Sequence, residues 1–261
     1  MKRVFDQHLH SSFSFDSNEK LENYLKVMKD NDLITTEHMD FSNPSTNFKD
    51  ELLDYKKYSE KIDELNKIYG SRFYKGIEIG YLKAKEADIL EYLKDKEFDL
   101  KLLSIHQNGN FDYMHMGNGK IDLEKHIQEY YSLMIEALES SVEANVLAHF
   151  EYGVRNILIS VKDLDNYASK YLDKVVELLI KKEMALELNT KSMYLYGKGS
   201  LYKYMVEKAV KKGLKLFSLG SDAHDISKYA YEFDEASKVL LENGIREIVF
   251  FKGSKLEFEK I

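Results

Sequence analysis

Three residues near the N-terminus have the types and the spacing of metal ligands. Asp6, His8 and His10 alternate along the segment DQHLH. Side chains two residues apart on a strand point to the same face, so an extended segment would direct all three to one point. Imidazole and carboxylate are the usual ligands of zinc, manganese and iron, and this chain has no cysteine to offer instead. A polar strand end with solvated histidines is the alternative for this segment taken alone.

Further residues of the same types recur along the chain, each just after a short apolar segment typical of a strand. They are Glu37, His38, Glu78, His106, His149, Asp222 and His224. One histidine in such a position is more often hydrogen-bonded or solvated than bound to metal. The recurrence favours a shared site, because barrel enzymes take their active groups from the C-terminal ends of many strands.

Composition limits the classes of protein to consider. With 261 residues and 44% hydrophobic residues, the chain can bury the core of a single domain. A net charge of −7 argues against nucleic acid as the main partner. The absence of cysteine fits a reducing compartment, and the sequence has neither a signal peptide nor an apolar segment of membrane-spanning length. These features predict a soluble, cytoplasmic protein without a membrane partner.

The elements that must position these residues alternate along the chain. Apolar or β-branched segments predict strands at residues 4–10, 33–36, 73–79, 100–105, 146–148, 184–189 and 214–219, with a further strand at 248–251. Helical periodicity or capping predicts helices at about 17–30, 49–69, 86–94, 121–140, 162–182, 201–212 and 234–243. About seven strand–helix units indicate a parallel, closed or nearly closed barrel. A doubly wound open sheet is the structural alternative.

The ordered motifs DQHLH, TEHMD, GIEIG, SIHQNG, LAHFEY and GSDAH resemble the signature of the polymerase and histidinol phosphatase (PHP) family. The resemblance covers nearly the whole chain. Chain length and the segments SIHQNG and HFEYGVRN are most similar to the histidinol-phosphate phosphatase branch. The resemblance implies one domain over residues 1–261, folded as a distorted (β/α)7 TIM-like barrel with its metal site at the C-terminal ends of the strands.

The resemblance also implies two or three divalent metal ions, which would be manganese, zinc or iron. The first ion would be bound by His8, His10, Glu78 and Asp222. The second would be bound by Glu78, His106 and His149, with Glu78 as a bridge. The third would be bound by Asp16, His38 and His224. Many relatives have histidine where this chain has Asp16, and the oxygen donor should favour harder ions such as manganese.

The chemistry that the resemblance implies is hydrolysis of L-histidinol phosphate to L-histidinol and phosphate, a step of histidine biosynthesis. Clustered divalent ions can activate water for attack on phosphorus and neutralise the charge that develops there. Asp222 and His224 are the named candidates for protonating the leaving alkoxide. Asp6 resembles a carboxylate that orients a ligand imidazole through its other ring nitrogen.

Residues for substrate binding are expected in the loops that follow the strands. Arg155 comes after His149 and could bind the phosphate through its guanidinium fork. The cationic part of the substrate would need acidic neighbours, for which the candidates are Asp40, Asp112 and Glu151. Each of these four could equally be a solvated loop residue. Glu187 and Asn189 end the sixth predicted strand and could close the wall of the site by hydrogen bonding.

Two other functions stay open at this point. One is another phosphoesterase of the same family, acting on phosphotyrosine, nucleotides or sugar phosphates. The other is a catalytically silent module that senses phosphate or metal. The preferred partner is a small phosphorylated metabolite, with neither nucleic acid nor membrane involved.

Overall fold

The computed structural model of the protein describes residues 5–29, 31–116, 121–253 and 255–261. Nine strands lie in these ranges. They are β1 (Leu33–Asn43), β2 (Lys49–Glu51), β3 (Phe73–Gly80), β4 (Leu100–Ser104), β5 (Val146–Leu147), β6 (Ala185–Asn189), β7 (Phe217–Gly220), β8 (Glu247–Lys252) and β9 (Lys255–Lys260). The first seven form one sheet in the order β2-β1-β3-β4-β5-β6-β7, and β8 pairs with β9.

Seven α-helices occur in the same described ranges. They are α1 (Leu21–Met28), α2 (Tyr55–Tyr69), α3 (Glu86–Leu93), α4 (Leu123–Glu139), α5 (Val161–Lys181), α6 (Gly199–Lys212) and α7 (Phe233–Glu242). Within the large sheet only the pairing of β1 with β2 is antiparallel. Parallel strands need crossover connections, and α2 to α6 supply them. The predicted α/β fold with a mostly parallel sheet is confirmed. None of these helices is long and apolar enough to cross a membrane.

The two faces of the sheet differ in composition. One face joins the helices in the larger apolar core, to which Leu103 and Leu186 belong. The other face has a smaller apolar cluster at its N-terminal end, which includes Leu100 and Leu102 and is covered by Val249 of β8. Because neighbouring strands are in register, with Glu78 beside Leu102, this second face becomes polar toward the carboxyl ends of the strands. The candidate ligands lie on that polar part.

The N-terminal segment 5–10 lies between β7 and β1. Gln7 N donates to Leu219 O (3.3 Å), and Thr36 N donates to Leu9 O (2.7 Å). The strand predicted at residues 4–10 needs correction, because the segment is extended but forms only one β-bridge, from Leu9 to Ala223. Its first predicted residue, Val4, lies outside the described residues.

A positive φ angle at Asp222 interrupts the pairing between β7 and the N-terminal segment. The strand β7 ends at Gly220, and Asp222 has a φ of 54°. The chain therefore turns out of the strand direction after two residues, although Asp222 N still donates to His8 O at 2.8 Å. This turn carries the Asp222 side chain toward the N-terminal segment.

Two predicted helices begin later than expected. The helix predicted from about residue 17 starts at Leu21; Ser17 lies before it, where its Oγ accepts from Glu19 N (3.2 Å) and donates to His224 O (2.9 Å). The predicted end of this helix, Asp30, lies outside the described residues. The helix predicted over 49–69 starts at Tyr55, where Asp54 accepts a capping hydrogen bond from Lys57 N. Residues 49–51 instead form β2 against β1.

Candidate metal centre

Glu78 lies at the centre of a group of buried histidines. Its Oε1 atom is 2.7 Å from His149 Nε2 and 3.1 Å from His106 Nε2. Its Oε2 atom is 3.2 Å from His8 Nε2 and 3.4 Å from His10 Nε2. His38 Nδ1 is also 3.2 Å from Oε2. Each carboxylate oxygen therefore faces a different group of imidazoles, which is the arrangement expected of a bridging ligand.

Strand geometry brings these side chains together. Glu78 follows Ile77 and precedes Ile79, both fully buried, so the alternation of β3 turns its carboxylate to the opposite face from these two residues. Its neighbour in the parallel register is His38 on β1. The end of β3 requires glycine, because a Cβ atom on Gly80 would lie 1.9 Å from Asp40 Oδ1.

A second cluster of ligand-type atoms lies beside the first. Single donor atoms of His10, Asp16, His38 and His224 lie within 4.8 Å of one another. Asp16 Oδ2 is 3.0 Å from His224 Nε2 and 3.4 Å from His38 Nε2. Single donor atoms of His8, His10 and Asp222 also lie within 4.8 Å of one another. All nine ligand candidates from the sequence thus lie in adjoining clusters.

The donor atoms that point into these clusters fit a divalent ion. His8 Nε2, His10 Nε2, His38 Nδ1 and Glu78 Oε2 are buried and have no hydrogen-bond partner among the described residues. A buried polar atom without a partner costs about 1–3 kcal/mol, which a metal ion would offset as the partner. Nitrogen and oxygen donors suit zinc, manganese and iron.

The electrostatics of the site keep its acids ionised. Burial opposes ionisation of Glu78, yet the imidazoles of His8 and His38 help to hold the pKa of its carboxyl well below the ordinary value. Burial likewise opposes ionisation of Asp222, whose pKa is also held well below the ordinary value, chiefly by Lys191. Deprotonated carboxylates are the form that binds metal.

The carboxylate that contacts the imidazole of a candidate ligand is Glu187. Its Oε1 atom accepts a hydrogen bond from His8 Nδ1 at 2.6 Å, and its Oε2 atom accepts one from His149 N at 2.9 Å. This contact requires Gly220, since a Cβ atom there would lie 2.1 Å from Glu187 Oε1. Asn189 donates to both Glu187 and Asp222 at 3.3 Å, so Glu187 and Asn189 hydrogen-bond along the wall of the site.

Asp6 does not have the role suggested by the sequence. Its side chain accepts hydrogen bonds from Ser221 N (2.9 Å), Ser221 Oγ (2.5 Å) and Ala230 N (2.8 Å). Its contact with His8 is to the backbone N–H and not to the imidazole. Burial raises the pKa of Asp6 to about 6, against these hydrogen bonds, which lower it. Asp6 therefore anchors the turn after β7 and does not orient a ligand ring.

Arg155 is buried beside the cluster and is not a solvated loop residue. Its Nε donates to Glu151 Oε1 at 3.0 Å, and its Nη2 donates to Ser192 Oγ at 2.5 Å. The guanidinium also lies over the rings of Tyr152 (4.7 Å) and Tyr196 (5.2 Å). These contacts fix the guanidinium plane and leave Nη1 as the nitrogen nearest Asp222, at 3.7 Å.

The other three predicted substrate residues occupy different places. Glu151 is fully buried behind Arg155, where it accepts from Tyr202 OH, and it does not line the pocket. Asp40 lines the pocket, but its Oδ1 accepts a hydrogen bond from His106 Nδ1 at 2.8 Å. Asp112 lines the far side of the pocket, held by Ser45.

Lys191 is a pocket residue that sequence reasoning missed. It lies on a π-helical turn, Lys191–Leu195, directly after β6. Its Nζ atom is 3.1 Å from Asp222 Oδ1 and 3.3 Å from His224 Nδ1. The sequence signal that could have found Lys191 is its position, because it is a basic residue two positions beyond the end of β6. The strands on either side of β6 are followed by candidate ligands. Lys191 places a second cation beside the candidate ligands.

Comparisons with known proteins agree with this geometry. Residues 6–191 match the model of the PHP domain. A probable histidinol-phosphatase of Clostridium acetobutylicum is 28% identical over 98% of this chain and 99% of its own length. The histidinol-phosphatase of Lactococcus lactis is 24% identical over 100% of this chain and 98% of its own length.

A solved structure has the same fold. It is the crystal structure of histidinol phosphate phosphatase from Lactococcus lactis, complexed with zinc, L-histidinol and phosphate. The TM-score is 0.84 at 22% identity, with 98% of this chain and 100% of the other covered. Since the PHP model matches well over half of the chain, in which the expected motifs lie in order around one pocket, the chain belongs to the PHP domain family.

Proposed function

We propose that this protein is a metal-dependent phosphomonoesterase that hydrolyses L-histidinol phosphate to L-histidinol and phosphate. The observation that carries the proposal is Glu78, whose two buried oxygens face two different groups of imidazoles. The names of the relatives from C. acetobutylicum and L. lactis support the choice of substrate. A module that only senses phosphate would not need such a cluster open to a pocket.

Two or three divalent ions, of manganese, zinc or iron, would be held by the ligand sets expected from the family. The sets are His8, His10, Glu78 and Asp222; Glu78, His106 and His149; and Asp16, His38 and His224. The zinc in the L. lactis complex is consistent with such a centre. When bound, clustered divalent ions activate water and neutralise charge on a phosphoryl group.

We also infer that the sheet closes into the distorted (β/α)7 barrel and that residues 1–261 form one domain. Support comes from the extended segment 5–10, which hydrogen-bonds on one side to β7 and on the other to β1. One apolar core also runs from Leu9 to Ile248. A closed sheet would explain why ligands from both ends of the chain meet at a single pocket.

Two cations are placed to bind the phosphate. Arg155 Nη1 faces Asp222 at the pocket, while its other hydrogen-bonding nitrogens are occupied by Glu151 and Ser192. We therefore assign Arg155 one strong charge-assisted contact to a phosphate oxygen. Lys191 would neutralise a second oxygen as a compact point charge.

The opposite side of the pocket suits the cationic part of the substrate. Asp112 accepts hydrogen bonds from Ser45 Oγ (2.7 Å), Met114 N (2.8 Å) and Tyr152 OH (3.2 Å), all of which are uncharged groups. It is therefore held in place without its charge being neutralised by these partners. Tyr152 contacts both charged residues, with Arg155 over the face of its ring and Asp112 at its hydroxyl group. We assign Asp112 to the substrate ammonium, and Asp40 and Glu151 to holding His106 and Arg155.

Protonation of the leaving oxygen falls to His224 in this proposal, in the state that holds two ions, because an imidazole nitrogen bound to the third ion would have no proton to donate. Asp222 was the other candidate, but its pKa lies well below the ordinary value, so it holds no proton at neutral pH. The expected setting is the cytoplasm, which a chain without cysteine fits. The net charge of −7 argues against a nucleic-acid partner.

The substrate assignment can be tested with a panel of phosphate esters. We expect the metal-loaded protein to prefer L-histidinol phosphate over phosphotyrosine, nucleotides and sugar phosphates. Asp112→Asn should raise KM for L-histidinol phosphate by about tenfold to one hundredfold, because a contact to a charged group is worth about 1.5–3 kcal/mol. The same change should hardly affect p-nitrophenyl phosphate, which has no cation.

The control is Asp88→Asn, which removes an exposed carboxylate on α3 and should change neither KM. A preference for another ester in the panel would redirect the proposal to that substrate class. Equal effects of Asp112→Asn on both esters would remove Asp112 from recognition of the cation.

A further inference from the structure

Glu37 is a fully buried carboxylate that the proposed chemistry does not use. It lies in β1 and accepts three hydrogen bonds. Ser11 N donates to Oε2 at 3.0 Å, Ser11 Oγ donates to Oε1 at 2.6 Å, and Ser14 Oγ donates to Oε2 at 2.6 Å. Both serines belong to the loop that follows His10. Glu37 therefore anchors this loop by accepting hydrogen bonds from uncharged donors.

The Ser14 hydroxyl connects Glu37 to His10. Besides its contact with Glu37, Ser14 Oγ accepts a hydrogen bond from His38 N (3.1 Å) and lies 3.2 Å from His10 Nδ1. A hydroxyl has a single proton to donate. The carboxylate takes that proton, because an ionised carboxylate can only accept and the His38 backbone N–H can only donate. Ser14 Oγ must then accept from His10, so His10 Nδ1 carries the ring proton.

A neutral imidazole has one donor nitrogen and one acceptor nitrogen. With the proton on Nδ1, the lone pair of His10 Nε2 points toward Glu78 Oε2 (3.4 Å) and Asp222 Oδ1 (3.7 Å). We propose that Glu37, acting through Ser14, fixes His10 in the tautomer whose Nε2 can bind a divalent ion. This inference rests on the proposed ligand role of His10.

The other orienting contacts in the site are direct. His8 Nδ1 donates to Glu187, and His106 Nδ1 donates to Asp40. In His10 alone among these three, a hydroxyl stands between the ring and the carboxylate. The His10 ring is also stacked on that of His38, with centroids 4.3 Å apart, so its position is fixed independently of its proton. Glu37 and Ser14 therefore act as positioning residues that select the tautomer.

Substitutions can separate this role from simple packing. Ser14→Ala removes the acceptor for His10 Nδ1–H. Glu37→Leu removes the acceptor for Ser14, whose proton would then turn to His10 Nδ1 and place the ring proton on Nε2. Glu37→Gln should preserve the arrangement, because Ser11 N–H requires an acceptor at the Oε2 position. The amide oxygen placed there can still accept from Ser14.

The direct readout is nitrogen NMR of metal-free protein labelled with ¹⁵N-histidine, with His10 assigned from the signal lost in His10→Gln. We expect the proton on His10 Nδ1 in the wild type and in Glu37→Gln, and a shift toward Nε2 in Ser14→Ala and Glu37→Leu. Glu187→Gln is the matched control, since it should perturb the signal of His8 and leave that of His10 unchanged.

Calorimetric titration with Mn²⁺ gives the second readout. Ser14→Ala should weaken binding by about 10- to 100-fold, as loss of an outer hydrogen bond to a ligand histidine typically does. Adding Glu37→Leu to Ser14→Ala should weaken it no further, because both changes break one relay. Glu37→Gln should bind like the wild type.

A proton on His10 Nε2 in the wild type would overturn the inference, as would an unchanged tautomer in Ser14→Ala or additive losses of affinity in the double variant. If Glu37→Leu does not fold, Ser14→Ala and Glu37→Gln still decide the outcome. The tautomer is measured without metal or substrate, so its result is independent of whether the protein hydrolyses L-histidinol phosphate.

Discussion

Glu78→Gln should abolish most hydrolysis of L-histidinol phosphate and lower the amount of metal that the protein binds. The amide has one oxygen, so only one of the two groups of imidazoles around residue 78 can keep a shared oxygen. The other group would face an NH2 group, which cannot bind a cation. The change also removes a negative charge from a site that would hold several positive ones. We expect kcat to fall by more than about one hundredfold.

The measurement combines turnover with elemental analysis of the same preparation, after circular dichroism has confirmed folding. Glu91→Gln, an exposed glutamate on α3, is the matched control and should retain both metal and activity. Wild-type metal content and turnover in Glu78→Gln would contradict the bridging role. Loss of metal with retained turnover would separate the metal from the chemistry and would contradict the mechanism.

Arg155→Met should lower kcat/KM by about tenfold to one hundredfold for L-histidinol phosphate and p-nitrophenyl phosphate alike, because both share the phosphate that Arg155 is proposed to hold. Metal content should stay unchanged. The variant should also lose stability, since Glu151 would remain buried without its cation, which costs about 3–5 kcal/mol.

A double variant separates the two effects. Glu151→Gln added to Arg155→Met removes the unpaired charge and should recover much of the free energy of unfolding, measured by denaturant titration. It should not recover kcat/KM, because the cation at the pocket is still missing. Recovery of kcat/KM along with stability would show that Arg155 is a structural residue and does not contact phosphate.

The ligand residues could be found from the sequence because they follow a regular rule. Glu78, His106 and His149 each come at or just beyond the end of a short apolar strand, and parallel strands end at one edge of a sheet. Their order along the chain then matches the order of strands in the sheet. These positions therefore favoured a shared site, and the resemblance to the PHP family supplied the candidate ligand sets.

The surroundings of the ligands could not be predicted in the same way. Lys191 reaches Asp222 from a π-helical turn, a geometry that hydrophobic periodicity does not encode. Glu187 and Asp6 are both acids close to ligands, and only the fold decides which one meets an imidazole. Glu151 was expected at the pocket because it lies in a loop that follows a strand, yet its side chain turns inward to Arg155.

Strand boundaries failed where pairing is decided by tertiary contacts. Residues 49–51 have the composition of a polar helix start, but they pair with the long extension of β1. The segment 5–10 alternates like a strand, yet its Gln7 side chain hydrogen-bonds to the backbone of β8 at Val249 (2.7 Å) and Phe251 (2.9 Å). Such long-range partners leave no local signal in the sequence.

The central claim is that hydrolysis of L-histidinol phosphate depends on a metal cluster built around Glu78. The most direct test is to titrate metal-free protein with Mn²⁺ and to measure bound metal and phosphate release in the same samples. We predict no turnover without metal, and a rise in turnover that reaches its plateau at two or three ions per chain. Full turnover by metal-free protein, or a plateau below one ion per chain, would contradict the claim.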